Sequence, residues 1–388
     1  MHRSGRLSDG LPKPCWLQMS LKLEPKIEQT APTIEPSLAA TRKADGKIPS
    51  IILERLLFIL SRYREASIAA VAVVLVVYFQ IGSHGQFIET QFLGVVFRDT
   101  GRFGLIAVAE AMLMITAEID LSVGSTFALA PYTMGLLSVT WGVPLAIGAV
   151  VGIALCVLVG VVNGVITVRF RVPSLITTVG TLFFVQGIVV SIYNSQPIMT
   201  PVEEPFNEFF GESLYNPRAD ALLSWHSLTA FSPVLWAILV VAVMSVILNR
   251  TTFGLHTIAT GSNPIGAREI GVRTDRIKVY NFMIAGGLAG FAGIINTLQF
   301  SSADPAAGAG FLNLEAIAAA VIGGTSLLGG SGTVVGALIG AFVVSTLNNG
   351  LVMIGAQATV SDIFLGAGIL AAMILNVQVD RLRTRRRK

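Results

Sequence analysis

Two acids, Glu118 and Asp120, interrupt an apolar stretch that runs from Phe103 to Leu137. Hydroxyls and a glycine surround them, in the order Met114-Ile115-Thr116-Ala117-Glu118-Ile119-Asp120-Leu121-Ser122-Val123-Gly124-Ser125. An ionised carboxylate is costly in hydrocarbon, so such groups face a bundle interior or a wet cavity and mark a path for solute or ions. A plainer use is open to the same residues, in which Asp120 or Ser122 caps the following helix at an aqueous surface. A capping residue can also lie on a path, and the sequence leaves both uses open.

Further polar residues sit inside apolar segments: Glu110, Asn163, Gln186, Asn296, Gln299, Asn313, Glu315, Asn348 and Asn349. Asparagine and glutamine hydrogen-bond without titrating, which suits a neutral polyhydroxylated solute. Each can equally bond a neighbouring helix, at about 0.6 kcal/mol. The residues expected to line a path are Glu110, Glu118, Asp120, Ser122, Gly124, Asn163, Asn296, Asn313 and Glu315. No catalytic constellation accompanies them. The glycine run from Gly323 to Gly332 has neither the Lys-Ser/Thr pair nor the preceding strand of a phosphate-binding loop, and so predicts a tight turn. Gly308-Ala309-Gly310 lacks the third glycine of a dinucleotide fingerprint. His2, His84, His226 and His256 are isolated, Cys15 and Cys156 cannot plausibly pair, and no metal or cofactor is expected.

The elements that must position these residues follow from composition. The chain has 388 residues, 53% hydrophobic and 13% charged, with a mean hydropathy of +0.71. Soluble domains carry about 25% charged residues, so this is an integral membrane protein. Long apolar runs without period-two alternation select helices over a barrel, hence an all-α bundle. The spans are expected at about Ala66–Ile81, Arg102–Ala117 and Leu121–Val139, then a fourth ending at Val168, followed by Ser174–Tyr193 and Leu228–Leu248. Four more are expected, at Val279–Leu298, Leu314–Leu328, Thr333–Ile354 and Val360–Val377. About ten crossings place both termini in the cytoplasm, because Lys and Arg collect on that side.

Residues 1–50 are polar and proline-rich and read as a disordered cytoplasmic tail, with Met19 an alternative start. No apolar run follows Met1, so a cleaved secretory signal is not expected. Ile51–Arg64 is expected to be an amphipathic surface helix. Residues 51–377 form the membrane domain, and 378–388 a basic cytoplasmic tail. Residues 194–227, acid-rich with a lone Arg218, are expected outside. The basic clusters flank apolar segments, which argues for lipid and against nucleic acid as their neighbour. Small residues recur four apart, as at Gly148/Gly152, Gly160/Gly164, Gly286/Gly290 and Gly332/Gly336/Gly340, a spacing expected to serve helix packing within the chain.

The basic loop 251–278 is expected inside and carries a compact pattern. Asn263 can cap a short helix that begins at Pro264, and Gly271 can end it. A short capped helix on the cytoplasmic face suits docking to a soluble partner; a helix lying at the headgroups is the alternative.

Three motifs give the chain a resemblance to a known family. They are Ile119-Asp120-Leu121-Ser122-Val123-Gly124-Ser125; Gly261-Ser262-Asn263-Pro264 through Ala267-Arg268-Glu269-Ile270-Gly271-Val272; and Ser302-Ala303-Asp304-Pro305 followed by Glu315 through Gly330. In their order and spacing, from about Ala66 to Val377, the chain resembles the permease subunits of bacterial ribose/xylose-type ABC sugar importers. The resemblance implies a type II importer-like bundle in the bacterial inner membrane, transporting a ribose-, xylose- or fructose-like monosaccharide. It implies a second permease subunit, as homodimer or heterodimer, a cytoplasmic ATP-binding subunit that carries out hydrolysis, and an extracytoplasmic sugar-binding protein. On the same basis Gly261, Asn263, Ala267, Arg268, Glu269 and Gly271 fall in the ATPase-coupling loop. Asp120, Ser122 and Gly124 fall near the central path. Glu118 stands where many members have glycine, Glu110 where an apolar residue is usual, and Asn313 where an acid is common. From the residues alone, a proton-coupled secondary transporter of a sugar or polyol and a membrane scaffold remain alternatives.

Overall fold

The computed structural model describes residues 64–192, 195–203, 206–211 and 231–357, with isolated positions between 360 and 370. The expected tails, almost all of the amphipathic helix, most of residues 204–230 and most of the tenth span lie outside these. The first elements are α1 (Arg64–Gly82), α2 (Thr90–Ile115), α3 (Val123–Trp141), α4 (Leu145–Arg169) and α5 (Ser174–Ile192). Strand β1 (Ile198–Met199) and the short α6 (Phe206–Gly211) follow. Next come α7 (Ser232–Arg250), α8 (Thr252–Ser262), α9 (Pro264–Glu269) and α10 (Thr274–Phe300). Strand β2 (Ser302–Ala303), α11 (Leu312–Ile322) and α12 (Val334–Met353) complete the described chain. Helices α1, α4, α5, α7, α10 and α12 are long and apolar enough to cross a membrane.

Helix α2 is the axis of the bundle. Every residue from Phe103 to Thr116 is buried, and α7, α10, α11 and α12 pack around it. A helix that is apolar on all sides can only be stable enclosed by others or by lipid. On one flank α10 also packs against α3 and α4, with α5 beyond them; on the other, α1 leans on α12. The small-residue pairs are used in these contacts. Gly160 and Gly164 face α10, Gly286 and Gly290 face Cys156 of α4, and Gly148 and Gly152 face α3.

Two boundaries differ most from expectation. Helix α2 starts at Thr90, three turns before the expected Arg102. Arg98 and Asp99 look like loop charges in sequence, just ahead of a span that begins at Arg102, but the fold supplies partners for all three. Asp99 Oδ1 lies 3.3 Å from Arg102 Nη2 one turn on, and the Arg98 guanidinium stands 5.6 Å over the ring of Phe300. The second difference is α11, which ends at Ile322 instead of Leu328 and has 11 residues. That is about 16 Å of helix, roughly half the hydrocarbon thickness.

An irregular segment covers the remaining depth. After α10 the chain forms β2, which pairs antiparallel with β1 through Ile198–Ala303 and Met199–Ser302. Ala303 adjoins Gly135 of α3, and Gly308 adjoins Gly124 of the same helix. The α3 backbone between those two glycines rises about 16 Å, so residues 303–308 run back along it into the bundle. Non-helical backbone survives at such depth only where it is buried in protein or lines a water-filled cavity. Ala303, Pro305 and Gly308 are buried and Asp304 and Ala306 exposed, and Gln186 of α5 donates from Nε2 to the Pro305 carbonyl at 2.8 Å.

Candidate functional site

The segment between α2 and α3 is a buried polar hinge. Helix α2 closes on Thr116, whose hydroxyl donates to the Leu113 carbonyl at 2.7 Å. Ala117 then adopts a φ of +65°, the left-handed region that costs a residue with a Cβ about 1–2 kcal/mol. Asp120, 1% exposed, folds back on its own chain. Its Oδ1 accepts from the Ser122 amide at 2.8 Å and from the Ser122 hydroxyl at 2.6 Å. This is an Asx turn, and it occupies the carboxylate locally. Ser122 is the residue before α3, yet it makes no side-chain cap bond to that helix.

Neighbouring helices complete the network. Asn163 of α4 donates from Nδ2 to the Ser122 hydroxyl at 2.8 Å and approaches both Asp120 oxygens at 3.4 and 3.5 Å. Thr181 of α5 donates to Asn163 Oδ1 at 2.6 Å. Thr178 accepts from the Leu121 amide at 3.1 Å, and Ser174 from the Ile119 amide at 3.3 Å. Asn313, in the first turn of α11, donates to the Leu121 carbonyl at 3.2 Å. Glu110 points at the hinge from α2, its Oε2 3.5 Å from the Asp120 amide. Among the described residues its Oε1 has no hydrogen-bond partner. Glu118 forms an ion pair with Lys278 of α10.

Gly124 meets the irregular segment at van der Waals limits. A Cβ placed on Gly308 would stand 1.6 Å from the Gly124 carbonyl oxygen, so neither position admits a side chain without the two backbones separating.

Seven of the nine path candidates therefore converge on one place: Glu110, Glu118, Asp120, Ser122, Gly124, Asn163 and Asn313. Asn296 and Glu315 do not. Asn296 accepts from Arg102 Nη1 at 3.3 Å, and Asn349 donates to Asp99 Oδ2 at 2.9 Å. That layer lies one turn inside the ends of α10 and α12, at the opposite end of α10 from Lys278. Glu315 accepts from Asn348 at 3.2 Å. The sequence reading missed Ser174, Thr178 and Thr181, although their spacing of four and three residues marks one hydroxyl stripe on a helix. It also missed the Asp99–Arg102 pair.

The loop 251–278 forms as the capping residues require. Asn263 Oδ1 accepts from the Gly266 amide at 3.0 Å, Pro264 opens α9, and Gly271 follows it at a φ of +89°. Ala267 is buried with Val272 and Ile277. Arg268 donates from Nε to the Thr274 hydroxyl at 2.7 Å and pairs with Asp275. Glu269 is exposed, as are the apolar Ile265 and Ile270, at 72% and 79%. The loop reaches the hinge directly. A Cβ on Gly261 would lie 1.8 Å from the Ile115 carbonyl, which already accepts from the Gly330 amide at 2.8 Å.

Asp120→Ala tests the network. It leaves the Ser122 amide and hydroxyl buried without their acceptor, while Asn163 keeps the Ser122 hydroxyl, a loss of about 1–3 kcal/mol. The expected result is a lower thermal midpoint in detergent and reduced solute uptake; full uptake would leave Asp120 a local turn former and nothing more.

Residues 93–373 match the family profile described as branched-chain amino acid transport system, permease component. The chain is 33% identical over 323 residues, 82% of its length and 86% of the relative's, to the xylose/arabinose import permease protein XylH of Sulfolobus acidocaldarius. It is 34% identical over 292 residues, 75% of its length and 83% of the relative's, to the autoinducer 2 import system permease protein LsrC of Photorhabdus luminescens. The LsrC of Salmonella choleraesuis is 33% identical over 314 residues, 81% of this chain and 85% of that one. No solved structure matches the chain.

Proposed function

The chain belongs to the family of branched-chain amino acid transport system permease components, and from that membership we propose that it is the membrane subunit of an ATP-driven, binding-protein-dependent importer of a pentose-type sugar. It is a multi-pass inner-membrane transport subunit and not an enzyme. The family implies two partners, an ATP-binding subunit that hydrolyses ATP and a substrate-binding protein. A second permease subunit, identical or related, completes the assembly in lipid. Both termini and the loop 251–278 lie in the cytoplasm, and α9 is the segment the ATPase holds. The exposed Ile265 and Ile270 on and beside a capped helix support that role.

The observation that carries the sugar reading is the composition of the hinge network. Asp120, Ser122, Asn163, Thr178 and Thr181 offer hydroxyl, amide and carboxylate groups, and among the described residues no cationic side chain is bonded into that set. The nearby cation, Lys278, is engaged by Glu118. An amino acid zwitterion would call for a positive group to meet its carboxylate, whereas sugar hydroxyls are matched by hydroxyl, amide and carboxylate groups without one. The names of the relatives, one for xylose and arabinose, favour the same choice over the amino acids in the family description.

Uptake of radiolabelled D-xylose, L-arabinose, D-ribose and L-leucine by cells producing the complete importer tests this. The expected result is saturable uptake of a pentose that is lost when this chain is deleted and is untouched by excess leucine. Uptake of leucine instead would overturn the substrate class.

A further inference from the structure

We propose that the ion pair between Glu118 and Lys278 is a positioning strut that couples the cytoplasmic helix α9 to the hinge. The inference rests on the importer reading above and adds to it the route by which motion at the coupling loop reaches the buried network.

The parts are contiguous. Arg268 fastens α9 to the first turn of α10, through Thr274 Oγ1 at 2.7 Å and through Asp275. Lys278 follows one turn later on the same helix, so any tilt of α9 that α10 shares displaces its ammonium. That ammonium is bound to Glu118, across 160 residues of sequence. The side chains are only 22% and 11% exposed, so water cannot readily take over either charge. Glu118 is two residues from Asp120 and next to Ala117, whose left-handed φ makes it the strained joint of the segment. Residues in such conformations persist only where their surroundings hold them, and here the neighbouring side chain is tethered to another helix.

A second connection runs alongside and is of a different kind. Gly261, at the end of α8, abuts the Ile115 carbonyl, and Ser262 donates to the Gly330 carbonyl at 3.3 Å. The Gly261 contact is backbone against backbone and can transmit a push. The charge pair can also transmit a pull. A partner shifts a two-state element only by holding its two arrangements with different affinity, and the strut is where a displaced α9 would make that difference felt at the hinge.

The test is made on the complete importer in proteoliposomes, with D-xylose as the probe, reading sugar moved per ATP hydrolysed. Charge reversal in Glu118→Lys or in Lys278→Glu is expected to lower that ratio roughly five-fold or more. Combining the two reverses the pair and is expected to restore the ratio, whereas a pair that only stabilised the fold would lower the thermal midpoint and leave the sugar moved per ATP by the folded importer unchanged. Where a reversed single fails to fold, the neutral Glu118→Gln and Lys278→Gln take its place; the ratio falls in each and no further in the double variant. An unchanged ratio in the singles, or independent losses that multiply in the double, would overturn the strut. Absence of ATP-dependent uptake by the wild-type importer, with any of the pentoses above, would instead overturn the reading on which it rests.

Discussion

Gly308→Ala is expected to abolish the folded protein, because the added methyl has nowhere to go. Its Cβ would lie 1.6 Å from the Gly124 carbonyl oxygen, 2.5 Å from the carbonyl carbon and 3.2 Å from the Gly124 Cα. All three are backbone atoms, so no rotamer change relieves the clash. Either α3 or the irregular segment must withdraw by more than an ångström. Withdrawal would pull at the Asn313–Leu121 bond at one end and at the Gln186–Pro305 bond at the other. Overpacking of an ordinary core costs about 1–3 kcal/mol, and a rigid backbone contact exceeds that range. Gly180→Ala and Gly187→Ala in α5 are the controls, since nothing lies within 4 Å of a Cβ at either position. The yield of monodisperse protein on size exclusion in detergent measures the difference. Loss for Gly308→Ala with near-normal yield for both controls is the expected pattern.

The second large effect is functional. Arg268→Glu sets a second acid beside Asp275 and removes the donor to Thr274. Both members of the Arg268–Asp275 pair are more than half exposed, so the thermal midpoint is expected to move little, as surface pairs contribute about 0–1 kcal/mol. Coupling is expected to suffer far more. With α9 no longer fastened to α10, ATP hydrolysis by the assembled importer proceeds while uptake falls roughly ten-fold or more. Normal uptake per ATP in a folded Arg268→Glu importer would remove α9 from its proposed role.

Much of this architecture can be read from residue type and spacing. Asn263, Pro264 and Gly271 delimit α9 because each does locally what only a few residues can: accept from a free amide, start a helix without one, or take a positive φ. The collection of Asp120, Ser122 and Asn163 at one place follows from the cost of leaving polar groups alone in an apolar bundle. What escapes the sequence is pairing at long range. Arg98 and Asp99 read as loop charges, and Arg102 as the start of a span, until Asn296, Asn349 and Phe300 come alongside from α10 and α12. The start of α2 was therefore misplaced. Leu314–Leu328 is apolar enough for a span, and hydropathy cannot tell a continuous helix from a short one that ends at Ile322 and runs into a turn. Asn296 has the same composition signal as Asn163 yet sits in the opposite layer, because depth is set by which helices pack, not by the residue itself. Glu118 and Lys278 illustrate the same limit, being 160 residues apart.

In the proposed importer this chain conducts and a separate ATPase drives. The most direct measurement is accumulation of a labelled pentose in proteoliposomes, first with the purified chain alone under an imposed proton gradient, then with the ATP-binding subunit, the binding protein and ATP. The account predicts accumulation above the external concentration only in the second case. Accumulation by the chain alone, driven by the proton gradient, would contradict it.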